Sequence, residues 1–221
     1  MSQLIFIHGP GAGSYSAGFK YQKEHFPDCH TPDLPGHPDG DSLETVEEYT
    51  KWLHDWLHRQ GHTSDLVLSG FTLGACVALQ YALDYPSEVA GLLLMTIAMR
   101  PKVRAPGSLE FRLNAAKDEK VHEEWLDAMR HSMMFIEEGL REQLIECHRT
   151  VGPISQYNDL VTIDNFDVRD RISELKAPLV LVRGVDDPGK PAEYELEIHE
   201  AVPGSKYIKL EQAGHFPMAE R

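Results

Sequence analysis

A chain of 221 residues, 42% of them apolar, is long enough to bury one full core and needs no second one. Its formal charge of −14 would be repelled by nucleic acid and by an anionic membrane surface, which leaves a small molecule as the expected partner. Cys29, Cys76 and Cys147 stand at unrelated spacings that suit neither a disulfide framework nor a metal site. No stretch approaches the roughly 18 apolar residues of a membrane span, and "MSQLIFIHG" carries no secretory pattern. The expectation is a soluble, cytoplasmic protein with reduced thiols and neither metal nor organic cofactor, as a monomer or homodimer.

Short apolar runs alternate with amphipathic segments, which predicts an α/β fold: a mostly parallel twisted sheet with helices on both faces. Strands are predicted at 4–7, 65–69, 90–96, 179–183 and 207–210, with a weaker one at 29–31. The first runs into "HGPGAG", a turn whose backbone N–H groups can face a developing negative charge. In "DLPGH", Asp33 and His37 are expected to stabilise a Pro-Gly turn, not to catalyse.

A helix is predicted after Asp41 and Ser42, with Asp41 and Glu44 at capping-box spacing. Val46, Tyr49, Leu53, Trp56 and Leu57 form its apolar face, and Gly61 ends it. His54, His58 and His62 fall at i, i+4 and i+8 on this segment. No carboxylate or cysteine completes a known ligand pattern, so solvated histidines are expected, not a metal site.

"LVLSGFTLGACVALQYAL" then reads as a buried strand, a turn between Gly70 and Gly74, and a helix. Gly70-Phe71-Thr72-Leu73-Gly74 is close to G-x-S-x-G, the sharp turn that lifts a serine hydroxyl above a sheet. Here the hydroxyl belongs to Thr72. As the first residue of the helix, Leu73 would point its N–H at the same place.

From residue 99 to 170 strand patterns disappear and "VHEEWLDAMRHSMMFIEEGLREQLIECHR" repeats apolar residues at helical spacing. This predicts a helical cap, 99–170, inserted into a core made of 1–98 and 171–221. Trp125, Met129, Met133 and Phe135 are soft and apolar, suited to lining a substrate cavity or to holding the cap on the body. Near the end, "PLVLVRGVDDPG" presents Asp186 and Asp187 after a strand, and "LEQAGHFPMAER" presents His215 after the next.

Together His8-Gly9, Asp33 to His37, Gly70 to Gly74, Gly184 to Asp187 and Gly214-His215 match, in order, the α/β-hydrolase superfamily. The likeness is to its capped esterases, enol-lactone hydrolases and carbon-carbon bond hydrolases. The resemblance implies Thr72 as nucleophile, His215 as general base and Asp187 as the orienting acid, with Asp186 as its neighbouring alternative. It also implies an oxyanion hole from the N–H of Leu73 and the turn at Pro10 and Gly11. The implied reaction is hydrolysis of a small carboxylic ester, thioester or lactone. Members of the superfamily carry a final helix after this histidine, and its absence up to residue 221 would leave part of one sheet face uncovered.

Two residues depart from the pattern. A β-branched threonine tolerates the strained elbow poorly, at a cost of about 1–3 kcal/mol. Pro10 has no N–H, so either Gly11 supplies that hydrogen bond or half the hole is missing. Three readings stand: a hydrolase with an unusual nucleophile, a serine enzyme changed at residue 72, or a retired enzyme that binds a small molecule. A lyase or transferase would use the same pocket.

Overall fold

In the computed structural model, which describes residues 2–11, 14–188 and 191–221, five parallel strands lie side by side in chain order. They are β1 (Gln3–Ile7), β2 (Leu66–Phe71), β3 (Val89–Met95), β4 (Leu179–Gly184) and β5 (Lys206–Leu210). The expected weak strand at 29–31 is a single bridge from His30 to Ile5, on the side of β1 away from β2. The chain therefore leaves β1 on one side and returns on the other. That places a topological switch point between the carboxyl ends of β1 and β2, where open α/β sheets bind ligands.

Alternation along the strands divides the core. Ile5, Ile7, Leu68, Leu94 and Leu181 face a cluster built with α2 (Val46–Arg59) and α3 (Leu73–Asp84), and Ile198 of α7 (Glu193–Ala201) joins it. α3 is buried along almost its whole length, which its sequence "LGACVALQYALD" permits. The opposite face carries α1 (Lys20–His25) and the short α8 (Pro217–Glu220), beside an apolar groove of about 300 Å³ floored by Leu4, Phe6, Val67 and Leu93.

α2 starts later than the sequence suggests. Its N-cap is Thr45, whose Oγ1 accepts the N–H of Glu48, while the Glu48 carboxylate accepts the N–H groups of Glu44 and Thr45. Asp41 plays no part in this cap because the Glu48 side chain satisfies two donors at once.

Between β3 and β4 lie α4 (Ser108–Ala115), α5 (Glu119–Ser132) and α6 (Glu138–Asn165), the last bent at Gly152 (φ 81°), just before Pro153. Leu126, Met133, Leu140, Leu144 and Ile145 anchor these helices against Phe19, Phe71 and Phe216 of the body. A buried polar tie adds to this. Asp159 of α6 accepts hydrogen bonds from His37 Nε2 at 2.7 Å and from the Tyr49 hydroxyl at 3.0 Å. His37 thus pairs with the inserted helices, and burial, which lowers its pKa, is outweighed by Asp159, leaving it raised. Cys29, Cys76 and Cys147 form no disulfide, and among the described residues no helix is long and apolar enough to cross a membrane.

Candidate active site

The turn from β2 to α3 has almost no room. A β-carbon on Gly70 would stand 2.3 Å from the Gly74 carbonyl oxygen, and one on Gly74 would stand 2.1 Å from that of Ile7. Between them Thr72 takes φ 48° and ψ −107°, a conformation that β-branched residues avoid, and its N–H donates to Met95 O at 3.1 Å. The Thr72 Oγ1 is buried and has no hydrogen-bond partner among the described residues. Leu73 is the first residue of α3, so its N–H has no partner within the helix.

Asp187 follows β4 and His215 follows β5, and their side chains meet with Nδ1 to Oδ2 at 2.9 Å. With Nδ1 engaged by the carboxylate, Nε2 is the ring atom available to exchange a proton. Asp186 is exposed and its backbone N–H donates to Ala213 O, so Asp187, not Asp186, holds the ring. The imidazole is flanked by Phe71 and Phe216 at centroid distances of 5.4 and 5.1 Å. Its loop is pinned twice: Thr96 Oγ1 donates to His215 O at 3.4 Å, and the buried Glu220 carboxylate accepts the Gly214 N–H at 2.5 Å.

Thr72, Asp187 and His215 line one cavity of about 250 Å³, together with Pro10, Trp125 and Met129. Met133 and Phe135 do not. α5 ends at Ser132, so Met133 turns back into the core, where it is fully buried, and Phe135 lies in the following loop, 41% exposed. Gly11 is not part of the lining either. Its φ is +64°, and the space a β-carbon would need is taken by the His148 ring.

The sequence reading passed over His148. It is buried, lines the cavity, and accepts a hydrogen bond from Gln156 Nε2 at Nδ1, which puts its proton on Nε2. That Nε2 has no partner among the described residues. Burial, reinforced by the positive neighbours His37 and Arg112, pushes the pKa to about 3, so the ring is neutral. His8 is also neutral, at about 3 through burial, and is structural: its Nε2 accepts the Leu34 N–H and its Nδ1 donates to Gly9 O.

Lys102, Arg104 and Arg112 were passed over as well, and all three line the cavity. For Lys102 and Arg104 the signal was "RPKVR", cations on alternate positions of an otherwise acidic chain, while Arg112 stands apart from it. The expectation that no carboxylate completes the histidines of α2 also needs correcting. Glu88 lies across from His54 and His58 with Oε1 at 3.4 and 3.1 Å, a set of donors within 4.8 Å that suits a divalent cation. His62 is elsewhere, against His30, and none of the donor set lines the cavity.

The family model described as alpha/beta hydrolase family matches residues 4–221. A pimeloyl-[acyl-carrier protein] methyl ester esterase from Vibrio cholerae is 25% identical, over 97% of this chain and 87% of that protein. A thermophilic esterase from Thermogutta terrifontis, solved with malate bound, superposes with a TM-score of 0.78 at 23% identity, covering 100% of this chain and 85% of its own. The enol-lactonase of Burkholderia xenovorans gives 0.78 at 16% identity, covering 98% and 85%. These structures bear on the fold alone. The chain belongs to the alpha/beta hydrolase family, and its kinship is that of an esterase-like hydrolase.

Proposed function

We propose, on the premise of that family membership, that this protein hydrolyses a small carboxylic ester, thioester or lactone with Thr72 as nucleophile. The observation that carries the proposal is the His215–Asp187 pair at 2.9 Å in the same cavity as an elbow hydroxyl. In this reading His215 Nε2 takes the Thr72 hydroxyl proton as Oγ1 bonds to the substrate carbonyl carbon. The carbonyl oxygen becomes an oxyanion facing the Leu73 N–H and, in place of the N–H that Pro10 lacks, the unpartnered Nε2–H of neutral His148.

Collapse of this intermediate expels the alcohol or thiol, which takes the proton from His215 and leaves an acyl-threonine. Water then gives a proton to His215, attacks the acyl carbon and releases the acid, and the proton returns to Thr72. Asp187 holds the imidazole in the required tautomer and stabilises its positive form. Trp125 and Met129 offer the substrate an apolar wall.

The test is hydrolysis of p-nitrophenyl acetate and butyrate by the protein, Thr72→Ser, Thr72→Ala and His215→Ala. Turnover that both alanine substitutions abolish supports a working threonine nucleophile. Activity confined to Thr72→Ser supports a second reading, a retired hydrolase that binds a small molecule, which the partnerless and strained Thr72 hydroxyl favours.

A further inference from the structure

Three cations crowd one wall of the catalytic cavity. Lys102 and Arg104 lie on the segment that follows β3, Arg112 lies on α4, and the same three side chains line a neighbouring cavity of about 190 Å³. Among the described residues Asp164 is the one acid that bonds to any of them, through Arg104 Nε. Lys102 makes no ion pair or hydrogen bond among the described residues. Arg112 spends one nitrogen on the Ser108 carbonyl, at 3.0 Å, and lies over the Trp125 ring at 5.7 Å.

Donors are left over. Arg104 Nη2 and Arg112 Nε are buried without partners among the described residues. In a chain of charge −14, acidic partners were available in number, yet among the described residues only Asp164 bonds one of the three cations directly; Asp187 shares the lining, and Glu195 reaches Lys102 through space. Burial lowers the pKa of Lys102, and burial with the charge of Arg104 brings Arg112 down to about 10. Positive charge is therefore uncomfortable here unless an anion joins it.

We propose that Lys102, Arg104 and Arg112 form an anion subsite of the catalytic cavity, so that the substrate carries a carboxylate or phosphate besides the bond that is cleaved. This rests on the hydrolase reading above and narrows its substrate class. Guanidinium and ammonium groups bind both kinds of anion by charge-assisted hydrogen bonds. Thr72 and His215 line the same cavity, so the anionic group and the scissile carbonyl occupy one molecule spanning its length.

The experiment compares p-nitrophenyl hexanoate with mono-p-nitrophenyl adipate, which differ at the far end in a methyl against a carboxylate. The expected kcat/KM favours the adipate ester by about tenfold or more, the worth of a charge-assisted hydrogen bond. Lys102→Met is expected to bring that ratio close to one and Lys102→Arg to keep it, with Arg112→Met as the second variant should Lys102→Met fail to fold. Thermal unfolding with adipate or inorganic phosphate added reads the subsite without turnover. A rise in Tm with adipate or with phosphate that Lys102→Met abolishes supports the subsite and tells which anion it takes. Hexanoate hydrolysed as fast as the adipate ester, with no rise in Tm from either anion, overturns the subsite and leaves the hydrolase reading intact. Neither ester hydrolysed, with Tm still raised by an anion, overturns the hydrolase reading and keeps the subsite.

Discussion

The Oγ1 of Thr72 lies 2.0 Å from the point where a β-carbon on Gly9 would stand, so the hydroxyl occupies space that only a glycine leaves open. Gly9 follows β1 and Thr72 follows β2, and the registered pairing of Ile7 with Gly70 brings the two turns together. Gly9→Ala is expected to displace the hydroxyl, since the nearby Phe71 ring blocks the other way out. A displacement of about 1 Å costs roughly a hundredfold in rate, so kcat should fall by at least that much while the far-ultraviolet circular dichroism is unchanged. Full activity in Gly9→Ala would show that the hydroxyl does not react from this position.

Thr72 holds φ 48° with a branched β-carbon, and Thr72→Ser keeps the hydroxyl while removing the methyl. The substitution should recover part of the strain, about 1–3 kcal/mol for such residues, and raise Tm. It should also raise kcat, because the methyl no longer crowds the approaching carbonyl. Urea unfolding and esterase kinetics on the same preparation check both.

His148 offers the cavity a neutral N–H donor. His148→Phe is expected to lower kcat by about 10²–10³ with a smaller change in KM, as loss of an oxyanion donor does elsewhere. Partial recovery in His148→Gln, whose amide can donate, separates a donor from a packing role. Equal loss in both variants with a matching fall in Tm would assign the ring to packing alone.

Three buried histidines give stability a defined pH response. His8 and His148 have folded values near 3, against 6.5 for an exposed ring, so below pH 6.5 the unfolded chain binds protons that the folded one refuses. Their contribution is whole above pH 6.5 and falls by about 1.4 kcal/mol per pH unit for each ring as pH drops toward 3. His37 has the opposite sign. Its folded pKa is raised, so the stability it contributes is whole below 6.5 and is lost as pH rises through the folded value. An imidazole nitrogen NMR titration should show His8 and His148 still neutral at pH 5 and His37 more than half protonated at pH 6.5, and the reverse pattern would refute the assignment.

The strands and the elbow were legible in the sequence because each is specified by neighbours in the chain. Apolar runs such as "LVLSGF" bury both faces, and Gly70 and Gly74 are demanded by a turn only five residues long. The start of α2 was misread because two stretches of capping-box spacing, Asp41 to Glu44 and Thr45 to Glu48, stand side by side, and the choice between them depends on where the Glu48 side chain reaches.

Features made by distant residues were not legible. Glu88 meets His54 and His58 only after α2 packs on α3, and Asp159 meets His37 only after the inserted helices close over the body. Met133 and Phe135 looked like cavity lining from composition, but where α5 ends decides which way they point. The cations at 102, 104 and 112 were visible as letters, and their convergence on one cavity was not.

The measurement closest to the central claim is covalent labelling. Incubation with diethyl p-nitrophenyl phosphate, which phosphorylates an activated hydroxyl and releases nitrophenolate, should add one diethylphosphoryl group per chain. Peptide mass spectrometry should place it on Thr72, within the segment from Leu66 to Leu83, and His215→Ala should not be labelled. Label on another residue, or unmodified Thr72 while esters are being hydrolysed, would contradict Thr72 as the nucleophile.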